Sequence, residues 1–163
     1  MHALSDAQIR ASFINVSQRE RSAIELPAGL ADLDWARLDV LGWRGSKAVL
    51  AGYVVGVVDG EPVGVLLRQT ESRTRARPQC AWCEDVTLPN DVVFFGARRA
   101  GAAGRRGDSV GTLVCEQFQC SRNVRTPPPP AYLGFDIDAA IERRISNLRM
   151  NVEGFLRDIR DNT

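Results

Sequence analysis

A chain of 163 residues with 44% hydrophobic and 25% charged side chains has the composition of an ordinary globular protein of one domain or two small ones, which excludes the disordered and collagen-like classes. Its 21 basic and 20 acidic residues leave a formal net charge of +1, so the molecule as a whole exerts no strong field and any contact with nucleic acid has to rest on local patches. Met1 to Gln18 is polar without an apolar leader core, and no run approaches the roughly eighteen apolar residues of a membrane span, which points to the cytoplasm and away from a membrane.

Residues 1–45 read as a helical N-terminal part. Ser5 is placed to cap a first short helix carrying Ile9, Phe13 and Val16 at helical spacing, and Ser17 opens a second through Arg19 to Ile24. Pro27 and Gly29 end it. A third, mainly apolar helix is expected over Leu33 to Trp43, with Leu33, Trp35, Leu38 and Leu41 on one side and a stop at Gly42. Both tryptophans read as core residues rather than stacking platforms.

Residues 46–70 predict a β-hairpin. Lys47 to Val58 and Pro62 to Gln69 are the strands, and Asp59-Gly60 is the turn. Gly52, Gly56 and Gly64 interrupt them, which predicts a bulge or close approach of another backbone or helix. No Gly-Lys-Ser/Thr follows any of them, so a phosphate loop is excluded. Glu71 to Pro78 is a polar connector whose Arg73, Arg75 and Arg77 suit either a phosphate or acidic partner or a solvated edge.

All four cysteines fall in one stretch, as Cys80-x-x-Cys83 and Cys115-x-x-x-x-Cys120. Two close-spaced pairs separated by a β-rich insert are the pattern of a structural zinc site, and thiols kept reduced in the cytoplasm favour metal over the alternative of two disulfides. Trp82 is expected to cover the site from water. Asp91 to Gly96 and Ser109 to Val114 are the strands of the insert, joined by a glycine- and arginine-rich loop over Ala97 to Asp108. Glu116 to Asn123 predicts a short helix with Cys120 in its early turns. Knuckle, hairpin and helix in that order predict a treble clef over residues 78–125, with Cys80, Cys83, Cys115 and Cys120 holding one Zn2+ ion.

Pro127 to Pro130 make residues 126–135 an extended strut, with use as an SH3-type ligand as the alternative. Residues 136–161 carry the longest periodic pattern in the chain. Ile137, Ile141, Ile145, Leu148, Val152, Phe155, Leu156 and Ile159 form a stripe expected to cover the first hairpin or to meet a partner helix. The fold class expected is α+β, a four-cysteine treble clef fused to a β-hairpin sheet, with short N-terminal helices and a long C-terminal amphipathic helix.

Four thiolates close a tetrahedral shell, and His2 is the only histidine, so neither a catalytic metal nor a histidine-based nucleophile is expected. The chain reads as a non-enzyme without a small-molecule substrate. Recognition is left to Arg98, Arg99, Arg105, Arg106, Arg122 and Arg125, expected as guanidinium groups on one rigid platform with Phe118 beside them. Such groups suit phosphate or carboxylate pairing, which opens direct contact with RNA or the ribosome as one function.

Cys80-Ala-Trp-Cys83, Val93-Phe-Phe-Gly-Ala-Arg98, Gly104-Arg-Arg-Gly-Asp-Ser-Val-Gly-Thr112 and Cys115 to Arg125 together resemble the treble-clef zinc-finger domain of the elongation factor G-binding, fusidic-acid-resistance type. Leu33-Asp-Trp, Leu41-Gly-Trp43, Gly60-Glu-Pro-Val-Gly64 and the Phe155-Leu156 helix are similar to it as well, so the resemblance covers nearly the whole of 1–163 as a single FBP-type domain. It implies a cytoplasmic protein that binds translation elongation factor G through this domain, on or off the ribosome, with the four cysteines as zinc ligands. Resistance proteins of this type release the factor from ribosomes on which fusidic acid has trapped it. They also carry a separate N-terminal helical bundle, for which the helical start here is too short, so the resemblance is to the zinc-finger domain alone.

Overall fold

The computed structural model describes residues 1–70 and 77–161; Arg73 and Arg75 of the polar connector lie outside the described residues. The two short N-terminal helices form as expected. In α1 (Asp6–Ser12) Ser5 Oγ accepts from the Gln8 amide at 3.3 Å, while Gln8 Oε1 accepts from the Ser5 amide at 2.8 Å. Ser17 and Glu20 repeat the same reciprocal cap on α2 (Gln18–Ala23). Each pair satisfies amides that a helix start leaves without partners.

Residues 33–43 do not form the expected helix. Two 3₁₀ turns, Leu30–Asp32 and Trp35–Arg37, lead into a strand, β1 (Leu41–Arg44). Leu41 and Trp43 are buried by alternation rather than by helical spacing, and the strand pairs with β2 (Ala51–Val58) from Leu41↔Val55 to Arg44↔Gly52. A helix this short is marginal alone, whereas the ladder and the buried Trp43 stabilise the strand.

The hairpin of β2 with β3 (Glu61–Gln69) follows the sequence closely. Asp59 and Gly60 both take left-handed backbone, at φ 53° and 84°, which is the turn that matches the twist of its strands. The insert between the cysteine pairs is β4 (Val92–Arg98) and β5 (Ser109–Cys115), and the loop joining them contains a short helix, α3 (Gly101–Arg105). After Cys115 comes a turn, then α4 (Cys120–Asn123), and the chain closes with α5 (Ile137–Asp161).

The two hairpins are one antiparallel sheet in the order β1-β2-β3-β4-β5. At their junction, among the described residues, Arg68↔Gly96 and Gln69↔Phe95 are in register and the Thr70 amide donates to the Phe94 carbonyl at 3.1 Å. Beyond it the strands part around residues 13–15. Asn15 Nδ2 donates to the carbonyls of Leu66 and Arg98 at 3.0 and 3.1 Å, and its Oδ1 accepts from the Leu66 amide at 2.8 Å. One side chain thus replaces the missing ladder bonds between β3 and β4.

Alternation along β2 divides the core. Ala51, Tyr53 and Val55 face the N-terminal layer, where Trp43 stacks on Tyr53 at 5.4 Å and Ile9 and Phe13 are fully buried. Val54 and Val58 face the other layer with Leu67, Phe95 and Val114, under Leu148, Val152, Leu156 and Ile159 of α5. The stripe on α5 therefore covers the first hairpin, although Ile137 at its start stays exposed. The three strand glycines are close approaches: a Cβ on Gly56 would stand 2.6 Å from Leu156, one on Gly52 2.6 Å from Phe118, and one on Gly64 2.6 Å from Ser12.

Candidate metal centre

The four cysteines reach one point from three elements. Cys80 and Cys83 flank a turn that is tied to the free edge of β5 by the Ala81 amide donating to Leu113 at 2.8 Å. Cys115 ends β5 and Cys120 begins α4, so the second pair is split between strand and helix rather than carried by the helix. Two non-glycine residues with left-handed backbone make the tight returns, Glu84 at φ 51° and Phe118 at φ 55°. The conformation is uncommon for such side chains. At Glu84 the amide closes the knuckle onto Cys80 at 3.0 Å, and at Phe118 it closes the second turn onto Cys115 at 2.9 Å.

The four Sγ atoms lie within 4.8 Å of one another, and the pairs Cys80–Cys120 and Cys83–Cys115 are each 3.7 Å apart. A tetrahedral metal with bonds of about 2.3 Å to sulfur requires sulfur pairs roughly 3.8 Å apart. A disulfide requires about 2.05 Å. The thiols thus fit a single tetrahedral ion and exclude the disulfide alternative. Without a cation they cannot all ionise so close together. Hydrogen bonds, from Cys115 first and then Cys120 and Cys83, draw the Cys80 thiol well below its ordinary value, while the bonds that Cys120 makes, with Cys115 first, push its own thiol well above. A bound divalent ion removes this competition by stabilising every thiolate.

The surroundings orient the sulfurs and exclude water. Backbone amides of Trp82 and Cys83 donate to Cys80 Sγ at 3.4 and 3.5 Å. Asn123 Nδ2 donates to Cys115 Sγ at 3.5 Å and to Asn90 at 2.7 Å, a role that nothing in its spacing announced. Trp82 covers the site as expected; it is 1% exposed and packs on Phe155 of α5 at 5.6 Å. Asn151 Nδ2 donates to the Trp82 carbonyl at 3.1 Å, so α5 holds the knuckle from behind.

The residues expected on a partner surface divide differently. Phe118 is 5% exposed, tilted against Phe95 at 5.3 Å, with its ring over Gly42 and Gly52. It is a core residue, correcting its assignment to the surface, and the two glycines are what admit it. Arg125 is also committed internally, to the fully buried carboxylate of Asp39, which Arg149 approaches at 2.8 Å from the other side. Ser121 supports this point by accepting from the Asp39 amide at 3.0 Å. Arg99 pairs with Asp158 at 3.0 Å, and the neighbouring Ala100 amide donates to Ile159 at 2.9 Å.

Arg98, Arg105, Arg106 and Arg122 remain exposed. They do not form one platform. β4 and β5 run from Val92↔Cys115 at the metal to Arg98↔Ser109 at the arginine loop, about 20 Å at 3.3 Å per residue. Arg122 is at the metal end, and the loop is held at the other end by α5. Arg77, exposed, donates to the Leu88 carbonyl at 2.7 Å.

The family model described as FBP C-terminal treble-clef zinc-finger matches residues 8–159. Among solved structures, that of the fusidic acid resistance protein FusC superposes with a TM-score of 0.56 at 15% identity, over 90% of this chain and 59% of that one. The likeness is one of fold, and this chain spans 59% of the length of that protein. No curated protein sequence matches this one.

Proposed function

The chain belongs to the FBP C-terminal treble-clef zinc-finger family, and on that premise we propose that it is a cytoplasmic, non-enzymatic protein that holds one structural zinc ion and binds translation elongation factor G, modulating the factor's release from the ribosome. The observation that carries this reading is the closed four-thiol centre inside a domain whose fold is shared with a fusidic acid resistance protein. Zinc would be held by Cys80, Cys83, Cys115 and Cys120 and would supply a tetrahedral cross-link between knuckle, strand and helix. With four thiolates in the shell the ion has no open position for water or substrate, so its work is to hold shape. The chain does the rest: the knuckle amides and Asn123 orient the sulfurs, and Trp82 keeps water out. Among the described residues, no helix is long and apolar enough to cross a membrane.

The test is a calorimetric titration of zinc-loaded protein with the cognate elongation factor G, with and without ribosomes, alongside metal analysis. One zinc per chain and a saturable heat are expected. Absence of any heat or co-migration in both conditions would remove the elongation factor reading. A metal-free protein of unchanged melting would remove the structural zinc.

A further inference from the structure

The N-terminal layer covers only part of its face of the sheet. It extends over β1 to β3 and stops at Asn15 and Glu20, so among the described residues the same face of β4 and β5 is left open, with Phe94, Arg98, Ser109 and Gly111 exposed. Register places Phe94 opposite Leu113, Gly96 opposite Gly111, and Arg98 opposite Ser109 there, with Arg68 of β3 beside Gly96. Phe94 is 39% exposed and its ring lies flat on the sheet: a Cβ on Gly111 would stand 2.1 Å from Phe94 Cζ. A Cβ on Gly96 would meet nothing within 4 Å. Next to these residues is a cleft of about 290 Å³ lined by Arg68, Gln69, Thr70, Gly96, Arg98 and Ser109.

We propose that this open half-sheet is a stacking platform for single-stranded RNA, with one base on the Phe94 ring where it covers Gly111, the next over the bare backbone of Gly96, and the backbone phosphates on Arg68 and Arg98. An exposed aromatic ring on a pleated face, flanked by cations, is the arrangement that binds unpaired bases, because every base has a π-face and every linkage a negative charge. The charge of the face is complementary to such a strand. Arg68 is 66% exposed, and the acid it pairs with, Glu20, is 3.9 Å away. Arg98 is exposed, and the Arg105 and Arg106 loop begins where it ends, with Arg106 held only loosely to Asp108 at 3.7 Å. These solvated pairs are weak enough to exchange for phosphate. The hydroxyls of Thr70 and Ser109 supply partners for a 2′-hydroxyl, which DNA lacks. The length of the row, Phe94 to Arg98, is about 13 Å, matching two nucleotides rather than a folded partner.

The probe is a fluorescein-labelled oligouridine, followed by anisotropy against the full zinc-loaded chain without elongation factor, so that this outcome is separate from the factor titration. Saturable binding at about 50 mM salt is expected, falling as salt rises. Phe94→Ala should weaken it about tenfold. Gly96→Val, which fills open space and leaves the melting temperature unchanged, should weaken it as much by covering the bare backbone. Arg98→Gln should reduce the slope of log affinity against log salt by about 0.7. Absence of binding at low salt overturns the proposal. So does binding that is indifferent to both Phe94→Ala and Gly96→Val, or a labelled polyglutamate of equal length bound as tightly, which would make the face a site for acidic protein. Equal affinity for a fluorescein-labelled oligodeoxyuridine of the same length overturns the assignment to RNA.

Discussion

Phe118→Ala in the zinc-loaded protein should cost stability rather than merely partner affinity. A phenylalanine ring buries roughly 150–250 Å², or about 4–6 kcal/mol at 25 cal/mol per Å². Alanine retains the share belonging to Cβ, so the loss should be about 3–5 kcal/mol, the range for aromatic truncation in a core. The geometry allows a stricter test. A Cβ on Gly52 would stand 2.6 Å from Phe118 Cζ and 3.1 Å from Phe95 Cε1, so Gly52→Ala alone should destabilise by about 1–3 kcal/mol through overpacking. With Phe118→Ala already present the nearer clash is gone. Gly52→Ala should then be close to neutral, because replacing glycine in a strand also removes unfolded-state entropy worth roughly 0.5–1 kcal/mol. The coupling between the two sites should therefore exceed about 1 kcal/mol. Urea unfolding at saturating zinc measures all four corners of the cycle, with the denaturant slope confirming that each remains two-state. A Phe118→Ala cost below about 1 kcal/mol with loss of elongation factor binding would make Phe118 a partner contact instead of a core residue, and an equal effect of Gly52→Ala in both backgrounds would rule out the contact between the two sites.

Cys83→Ser should lose zinc and unfold the clef, seen as a lower melting temperature and reduced circular dichroism; a variant with unchanged melting would count against a structural ion. The same stability should disappear as pH falls, since zinc-held thiolates titrate far below the thiols of the unfolded chain and the contribution is lost when they take up protons. Release of zinc to a chromogenic chelator on acidification measures it. Asp39→Ala leaves Arg125 without its carboxylate in a buried place and should cost about 3 kcal/mol by urea unfolding; a cost within a few tenths would show that the pair is solvated. Gly104→Ala drives a Cβ to within 1.8 Å of the Arg99 carbonyl oxygen and should destabilise by about 1–3 kcal/mol, loosening the arginine loop. An unchanged melting curve and unchanged hydrogen exchange over residues 99–108 would contradict it.

Features set by neighbours in the chain are legible in the sequence alone. The Ser5 and Ser17 caps, the Asp59-Gly60 turn, the β2–β3 hairpin and the stripe on α5 rest on spacings of two to four residues, where propensity and periodicity act directly. The cysteine spacing is enough to name the ligand set, because the chain has four cysteines in two close-spaced pairs and four thiols complete a tetrahedral shell. Leu33 to Trp43 misleads for a physical reason. Its apolar residues satisfy a helical period on paper, but Leu41 and Trp43 also alternate, and pairing with β2 decides between the two readings. Phe118 misleads in another way, since an aromatic residue between two ligands can point outward or inward, and Gly42 and Gly52, more than sixty positions upstream, make room for it inside.

Local hydrogen bonds, periodicity and cysteine spacing specify the short helices, the turn and the metal ligands before any fold is known, whereas at Gly52, Gly56 and Gly64 they leave a bulge and a close approach both open. Only the tertiary structure decided that the two hairpins form one sheet, that the arginine loop stands at the opposite end from the metal, and which arginines face solvent. Arg125 meets Asp39 across 86 positions and Arg99 meets Asp158 across 59. Such pairings depend on where distant segments are packed, and a charge carries no mark in sequence of whether its partner is a buried carboxylate or solvent.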